Sequence, residues 1–217
     1  MVSFACIYTL GAKPPLLVGI AGGTASGKTT FGKKLQEKLH GHSLLMHMDD
    51  YYYDLSQVSP KELEQINFDH PDACNTALFY QHLLELKKGN PVTLLSFDFL
   101  SRISSFATAV QQPAEIILVE GMQLFTFPEI RDLFDIKIFI DIDLDVRLLR
   151  RIDRDIQERG FSFEESTQRY LITTKAMHDL FVEPTKKYAD IIIPKGGQNQ
   201  IALELVAARL HDYLSPD

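Results

Sequence analysis

A glycine-rich segment with one lysine and two threonines is the first group of residues that could do chemistry. Residues 22–29 read Gly-Gly-Thr-Ala-Ser-Gly-Lys-Thr and match the phosphate-binding pattern G-x-x-x-x-G-K-[ST]. In such a loop, successive backbone N–H groups and the positive end of the next helix face a polyphosphate. Lys28 would reach the β- and γ-phosphates, and the Thr29 hydroxyl would ligate Mg²⁺. The segment therefore predicts a nucleoside triphosphate site, formed by Gly22, Gly23, Thr24, Ala25, Ser26, Gly27, Lys28, Thr29 and Thr30.

Carboxylates follow two short apolar runs downstream of this loop. Asp49 and Asp50 follow residues 44–48, and Glu120 follows residues 116–119. Ligands of open parallel sheets bind beyond the carboxyl ends of the strands, so we expect these acids beside the loop. A carboxylate there can accept the proton of an attacking hydroxyl; Asp49 is the candidate base, with Asp50 as the competing candidate. Glu120 is the candidate ligand of a nucleotide-bound Mg²⁺, directly or through water.

Arginines recur along a predicted helix that begins at Leu144. At about 100° per residue, one side of this helix carries the apolar residues and the other the arginines: Leu148, Leu149, Ile152 and Ile156 against Arg147, Arg150, Arg151 and Arg154. Arg159 and Gly160 follow. Arginine stabilises the charge that phosphoryl transfer spreads over oxygens, and a helix with a glycine bend can close over a nucleotide and exclude water. We predict a lid over residues 147–163.

The elements around these residues are those of an α/β domain. Residues 16–20, 44–48, 92–95, 116–119, 136–140 and 191–193 are short apolar runs typical of strands. Phe31, Leu35 and Leu39 recur four apart after the loop, which suits one face of a helix. Further helices are predicted at residues 77–88, 164–181 and 201–214. The pattern predicts one domain over residues 1–217, a P-loop NTPase-type three-layer sandwich with a central, mostly parallel sheet.

Composition limits the partners of the chain. Its 217 residues are 45% hydrophobic and 24% charged, enough for one sizeable core. A formal net charge of −7 argues against general nucleic-acid binding, which needs an excess of lysine and arginine. Cys6 and Cys74 stand far apart, outside any metal or redox spacing, which indicates a reducing compartment.

Membrane contact is not expected. No basic residue precedes the apolar residues 2–10, and no run approaches the roughly 20 apolar residues of a membrane span. We interpret residues 2–10 as a frayed or edge segment ahead of the first strand, and we predict a soluble, cytoplasmic protein.

Four motifs together resemble the uridine kinase (uridine–cytidine kinase) family of the P-loop kinases. They are the phosphate loop, Met-Asp-Asp-Tyr-Tyr at residues 48–52, Asn-Phe-Asp-His-Pro-Asp-Ala at residues 67–73 and Pro-Thr-Lys-Lys-Tyr-Ala-Asp at residues 184–190. The resemblance runs from about Leu16 to about Leu210. It implies phosphorylation of the 5′-hydroxyl of uridine or cytidine with ATP and Mg²⁺. It also implies a homo-oligomer, commonly a tetramer.

The resemblance implies roles on the acceptor side. It makes Asp49 the catalytic base and Asp69 the holder of the ribose hydroxyls, a task that suits a carboxylate because it can accept two hydroxyl protons. Tyr52 belongs to the same group of substrate-binding residues. Phe68 would form an apolar wall for the base, although simple core packing explains it nearly as well.

On the phosphate side, the resemblance has Arg151 contact the substrate while Arg154 and Arg159 serve the phosphates. Arg147 and Arg150 are left as surface or oligomer contacts. Gln198 lies in the loop at residues 196–199 that would border the adenine.

Four positions depart from the family pattern. A small β-hairpin region at residues 96–112 would cover the nucleobase, where the family carries Y-D-F-x-x-H; this chain has Phe97 and Arg102 at the Tyr and His positions. Phe97 and Phe99 can still stack on a base. Phe161 replaces an arginine, and Arg169 replaces a glutamine. All four positions border the expected nucleoside pocket, so they bear on the identity of the acceptor.

Other functions remain open at this point. The same fold could phosphorylate another small alcohol: a different nucleoside, or an acceptor like those of phosphoribulokinase or pantothenate kinase. A nucleotide-binding regulator without catalysis is a further alternative, against which Asp49, Glu120 and the arginines argue together. A GTPase-type switch would need N-K-x-D and D-x-x-G motifs, which the sequence lacks.

Overall fold

The computed structural model describes residues 13–63 and 66–215. Cys6 and the segment at residues 2–10, interpreted above as a frayed or edge segment, lie outside the described residues. Within the described ranges, no helix is both long and apolar enough to cross a membrane.

Seven strands and eight α-helices make up the described fold. The strands are β1 (Leu16–Gly22), β2 (Ser43–His47), β3 (Leu95–Asp98), β4 (Ile103–Phe106), β5 (Ile116–Glu120), β6 (Ile136–Ile140) and β7 (Ile191–Ile193). The α-helices are α1 (Lys28–Lys38), α2 (Pro60–Leu63), α3 (Thr76–Lys87), α4 (Pro128–Arg131), α5 (Leu144–Arg159), α6 (Phe163–Arg169), α7 (Lys175–Met177) and α8 (Gln200–Leu214). Short 3₁₀ turns occupy Met48–Tyr51, Pro71–Ala73, Glu183–Tyr188 and Gly196–Gln198.

A parallel five-stranded sheet in the order β2-β5-β1-β6-β7 forms the centre. β1 pairs with β5 and β6 on its two sides, and β5 carries β2 at its other edge. The register places Ile20 opposite Glu120, and Glu120 opposite His47. Because the strands are parallel, their carboxyl ends meet at one edge, and this edge carries the phosphate loop and the predicted acids.

Helices cover both faces of the sheet, so the predicted three-layer sandwich and its P-loop NTPase-type fold are confirmed. Successive residues of β1 point to opposite faces. Leu17 joins a buried cluster with residues of α3, whereas Val18 joins a second cluster with residues of α1 and α8. Phe31, Leu35 and Leu39 are fully buried in this second cluster, as their spacing predicts.

The strand predicted from the apolar run at residues 92–95 begins later in the structure. The predicted strand at residues 92–95 is wrong, because β3 starts at Leu95 and Val92 forms only an isolated bridge with Gln111. β3 pairs with β4, opposing Leu95 to Phe106 and burying Phe97 between two exposed neighbours. Antiparallel pairing with β4 therefore decides which residues form the strand, and a run of apolar residues cannot show that pairing.

The helix predicted at residues 164–181 is present but interrupted. α6 is followed by a π-helical stretch at Tyr170–Thr174, by α7, and by a second π-helical stretch at His178–Val182. Such bulges rotate the residues that follow them on the helix surface and are frequent at functional sites.

Candidate active site

The phosphate loop joins β1 directly to α1. Gly27 adopts a φ of +94°, and a Cβ there would lie 2.8 Å from the backbone nitrogen of Gly197. Only glycine satisfies both conditions without strain. The Ser26 hydroxyl is buried and has no hydrogen-bond partner among the described residues. An oriented but unpaired hydroxyl inside such a loop fits a phosphate oxygen as its partner.

Glu120 lies beside the loop with its two oxygens in different environments. Thr29 Oγ1 donates to Oε1 at 2.9 Å, and His47 Nδ1 donates to the same oxygen at 2.7 Å. Oε2 lies 3.9 Å from Lys28 Nζ and has no hydrogen-bond partner among the described residues. This arrangement fits a divalent cation, which would find an unsatisfied carboxylate oxygen next to a threonine hydroxyl.

The charge of Glu120 is maintained by its neighbours. Burial raises the pKa of Glu120, but Lys28 and then the hydrogen bond from His47 outweigh burial, so the pKa is lowered on balance. The same hydrogen bond raises the pKa of His47. Sequence reasoning missed His47; the only available signal was its position at the carboxyl end of β2, in register with Glu120.

Two cavities open at this edge of the sheet. The loop cleft is lined by Ala25, Gly27, Lys28, Thr29, Thr30, His47, Asp49, Asp50, Phe99, Glu120, Arg150, Arg154, Glu158, Arg159, Gly197 and Gln198. The aromatic pocket is lined by Thr24, Lys28, Asp49, Tyr52, Ile66, Phe68, Asp69, Phe97, Phe99, Arg102, Met122, Arg151, Arg154, Arg159, Phe161, Arg169 and Thr173. Both cavities are lined by Lys28, Asp49, Phe99, Arg154 and Arg159, which therefore form the junction between them.

The two candidate bases differ in placement. Asp49 is half-buried at the junction and lines both cavities. Asp50 lines the loop cleft but not the aromatic pocket, and its Oδ1 accepts a hydrogen bond from the backbone N–H of Phe97 at 3.4 Å. Burial raises the pKa of Asp50. Of the two candidate bases, Asp49 is therefore the one that lies next to both the aromatic pocket and the loop cleft.

Asp69 is buried in the aromatic pocket in a fixed orientation. Arg151 Nη1 lies 3.1 Å from Oδ1, and Thr174 Oγ1 donates to Oδ2 at 2.6 Å. Gln123 Nε2 donates to the backbone carbonyl of Asp69. No sequence pattern indicates Thr174 or Gln123, since both are distant from Asp69 in the chain and reach it only in the fold.

Asp155 organises the arginines of α5. It is 1% exposed and lies close to three guanidinium groups: 3.3 Å from Arg151 Nε, 3.0 Å from Arg154 Nη2 and 3.7 Å from Arg159 Nη1. The Ser166 hydroxyl donates to Oδ2 of Asp155 at 3.0 Å, which ties α6 to α5. One carboxylate thus holds three cations on the side of the helix that faces the cavities. Sequence reasoning missed Asp155, because acids interspersed with arginines are typical of a solvated helix face.

The buried residues of α5 are all charged, whereas its apolar residues are half-buried or exposed. Leu149 is 70% exposed, whereas Arg147 is 6% exposed. The interpretation of Arg147 as a surface or oligomer contact is therefore wrong. Its Nη2 donates to Nε2 of buried His178 at 2.9 Å, and its guanidinium packs against Gly23 of the phosphate loop. Arg150 is exposed, as predicted for a surface residue, but it also lines the loop cleft.

The aromatic pocket brings together all four positions that depart from the family pattern. Phe97 is buried, with its ring 5.3 Å from that of Tyr52. The Arg169 guanidinium lies over the Phe161 ring at 4.8 Å from its centroid. Arg102 lines the same pocket.

The remaining predicted residues lie where they can touch a ligand. In the aromatic pocket, the Phe68 and Phe99 rings both meet the Tyr52 ring edge-on. Arg159 lies over the Phe99 ring at 4.2 Å. Gln198 lines the loop cleft, and its Oε1 accepts a hydrogen bond from Lys34 at 2.6 Å.

A phosphate loop after the first strand, a carboxylate after the second and inward-facing arginines beside them define a P-loop kinase. The chain belongs to the Phosphoribulokinase / Uridine kinase family, whose sequence profile matches residues 17–202. The resemblance found in the sequence is thereby confirmed.

Individual relatives agree with this assignment. The chain is 43% identical to a uridine kinase of Ligilactobacillus salivarius (strain UCC118), over 92% of this chain and 94% of that protein. It is 42% identical to a uridine kinase of Clostridium novyi (strain NT), over 93% and 97% of the two chains.

Solved structures share the fold at low identity. A possible uridine kinase from Bacillus stearothermophilus superposes with a TM-score of 0.59 at 19% identity, over 85% of this chain and 91% of that chain. Phosphoribulokinase from Rhodobacter spheroides gives a TM-score of 0.62 at 11% identity, over 83% and 70%.

Proposed function

We propose that this chain transfers the γ-phosphate of ATP to the 5′-hydroxyl of uridine or cytidine, forming UMP or CMP and ADP. The observation that carries the proposal is the junction of the two cavities, where Lys28, Asp49, Arg154 and Arg159 line both. A donor in the loop cleft and an acceptor in the aromatic pocket would meet at this junction. The nucleoside as acceptor is supported by the relatives named uridine kinase, which match over more than nine-tenths of this chain.

The loop cleft would hold ATP with Mg²⁺. Gly22 to Thr30 would bind the phosphates and Gln198 would border the adenine. Thr29 and Glu120 would hold the cation, which suits the unsatisfied Oε2 of Glu120. When bound, Mg²⁺ neutralises charge on the phosphate oxygens.

The aromatic pocket would hold the nucleoside. Asp69, fixed by Arg151 and Thr174, would accept hydrogen bonds from the ribose hydroxyls. The aromatic rings around Tyr52 would contact the base, which leaves the 5′-hydroxyl to point towards the junction and Asp49.

The transfer follows from this placement. The 5′-oxygen forms a bond to the γ-phosphorus, the bond from this phosphorus to the β–γ bridging oxygen breaks, and the hydroxyl proton passes to the Asp49 carboxylate. Lys28, Arg154 and Arg159 stabilise the charge that spreads over the transferring oxygens.

Residues 147–163 would act as a lid and the hairpin region at residues 96–112 would cover the base, both within one kinase domain over residues 1–217. The family resemblance further supports a cytoplasmic homotetramer.

A coupled assay of ADP release tests this function. Uridine, cytidine, purine nucleosides, ribulose 5-phosphate and pantothenate are offered one at a time with ATP and Mg²⁺. We expect ADP release only with pyrimidine nucleosides, accompanied by a nucleoside monophosphate in chromatography. Release with none of them, or only with a non-nucleoside acceptor, would overturn the proposal.

A further inference from the structure

His47 lies in the loop cleft but takes no part in the proposed transfer. It is the last residue of β2 and stands in register with Glu120, the last residue of β5. Its chain neighbours Met46 and Met48 are buried, whereas His47 is half-buried and lines the loop cleft but not the aromatic pocket. The imidazole is therefore placed on the phosphate side of the site.

His47 and Thr29 hold the same oxygen of Glu120. His47 Nδ1 lies 2.7 Å from Oε1, and Thr29 Oγ1 lies 2.9 Å from it. A carboxylate accepts hydrogen bonds and cannot donate them, so the histidine donates from Nδ1. Because Thr29 belongs to α1 and His47 to β2, Oε1 is fixed by two separate segments of the fold.

Oε2 of Glu120 has different neighbours. Lys28 Nζ lies 3.9 Å away, beyond the roughly 2.7–2.9 Å of a direct charge-assisted hydrogen bond. Oε2 is buried and has no hydrogen-bond partner among the described residues. Both side chains are less than a tenth exposed, so the attraction between them is weakly screened. A carboxylate released by His47 would therefore be free to turn towards the lysine and close this gap.

Such a closure would impair the loop cleft in two ways. A carboxylate oxygen that is paired with Lys28 is no longer available to a divalent cation. The lysine would also be drawn away from the phosphates that it is placed to reach. Hydrogen-bond partners of a metal ligand orient that ligand, and their loss typically lowers metal affinity by about 10–100-fold.

We infer that His47 is a positioning residue, whose hydrogen bond keeps Oε2 of Glu120 apart from Lys28 and available to a nucleotide-bound Mg²⁺. The inference rests on the proposed function, which brings ATP and Mg²⁺ to the loop cleft, and adds to it the residue that prepares the carboxylate ligand. His47 acts through Glu120 and transfers no proton.

A second histidine–glutamate pair joins the same two strands at their other end. His42 immediately precedes β2, and its Nδ1 lies 2.6 Å from Oε2 of Glu115, which immediately precedes β5. Both side chains are more than half exposed and line neither cavity. Loss of this contact reproduces any general weakening between β2 and β5 without touching the site, so His42 offers a matched control.

Calorimetry of ATP binding, in Mg²⁺ and in EDTA, tests the inference in the full chain without an acceptor. H47L removes the donor and keeps most of the volume, H47N keeps an N–H donor bonded to Cγ, and H42L removes the exposed counterpart. We expect Mg²⁺ to tighten ATP binding by the wild type. This tightening should fall about tenfold in H47L, be largely restored in H47N and stay unchanged in H42L. Adding H47L to E120Q should have no further effect, because the two residues act as one unit.

Three results would overturn the inference. They are a wild-type tightening in H47L, an equal loss in H42L, and a further loss when H47L is added to E120Q. ATP binding that Mg²⁺ leaves unchanged in the wild type would overturn it as well. Thermal unfolding shows whether each variant is folded, and H47V, which suits a strand and carries no donor, gives the same comparison if H47L is not.

Failure of the proposed function is seen separately. If Mg²⁺ tightens ATP binding and H47L loses this effect while no pyrimidine nucleoside stimulates ADP release, the role of His47 is supported and the proposed acceptor is wrong.

Discussion

Arg151 links the phosphate loop to the acceptor carboxylate Asp69. Its Nη1 lies 3.1 Å from Oδ1 of Asp69 and donates to Thr24 Oγ1 of the loop at 3.2 Å. Both partners of the ion pair are 7% exposed. Burial lowers the pKa of Arg151, but Asp69 and Asp155 outweigh that effect and raise it on balance. The group that would hold the ribose is therefore fixed relative to the group that would hold the phosphates, which a direct transfer between them requires.

Thr174 is expected to act on nucleoside affinity through Asp69. T174V keeps the shape of the side chain but removes the hydroxyl that donates to Asp69 Oδ2 at 2.6 Å. Because a hydrogen bond to a charged group contributes about 1.5–3 kcal/mol, we expect KM for uridine to rise about tenfold or more with kcat changed much less. Steady-state kinetics measure this.

T174S provides the control, since it retains the hydroxyl and should restore KM. An effect that merely reflects loosened packing would appear in T174S too and would lower the thermal midpoint. Equal KM values in T174V and the wild type would remove Thr174 from the site.

Asp49 is expected to be the base because it lines both cavities, whereas Asp50 lines only the loop cleft. D49N should reduce kcat by roughly 10²-fold or more, since the amide cannot accept the hydroxyl proton. Binding of ATP, followed by calorimetry, should persist because the phosphate loop is untouched. D50N is the matched control and should keep most of its turnover. A large loss in D50N together with normal turnover in D49N would transfer the role to Asp50.

Glu120 is expected to set the requirement for Mg²⁺. In E120Q the amide can still accept from Thr29 and His47, but it offers the cation no charged oxygen. We predict that the Mg²⁺ concentration for half-maximal activity rises at least about tenfold, because cation binding depends on ligand charge. Nucleotide binding measured in EDTA should change little. A Mg²⁺ titration that superposes on that of the wild type would contradict this role.

Much of the phosphate side could be predicted from the sequence because its pattern is local. Gly22 to Thr29 is contiguous, and Glu120 is the last residue of an otherwise apolar strand whose end must lie near the loop. The parallel sheet therefore places these groups without further information.

The orientation of α5 could not be predicted from its sequence pattern. Its amphipathic pattern separates arginines from apolar residues but does not decide which side faces the protein. Arg147 and Arg151 are buried, whereas Leu149 is exposed. Arg151 pairs with Asp155 of the same helix and with Asp69 of another segment, and Arg147 donates to His178, also of another segment. Burial of charge becomes favourable only with such partners, and these partners are distant in the chain or were not recognised. Thr174 was missed for a similar reason, since it reaches Asp69 from a π-helical stretch that no residue pattern indicates.

His178 is expected to make the stability of the fold depend on pH. It is buried, and Arg147 Nη2 donates to its Nε2 at 2.9 Å. Burial, followed by the repulsion from Arg147, lowers the pKa of His178; Glu183 and Asp179 oppose the shift but are outweighed. The unfolded chain therefore binds a proton near the ordinary histidine pKa of about 6.5, whereas the folded chain binds it only at lower pH. This contribution to the free energy of unfolding is complete at neutral pH and is lost as the pH falls below about 6.5.

H178Q should flatten that dependence, because a glutamine carbonyl can still accept from Arg147 but does not titrate. Urea denaturation at pH 7.5 and pH 5.5 measures the change: the midpoint of the wild type should fall further between the two values than that of H178Q. H40N is the matched control, since His40 is exposed and its φ of +48° is one that asparagine tolerates. The H40N midpoints should follow those of the wild type. If H178Q also follows them, His178 takes up its proton equally in the folded and unfolded chain, and its contact with Arg147 does not govern the response to acid.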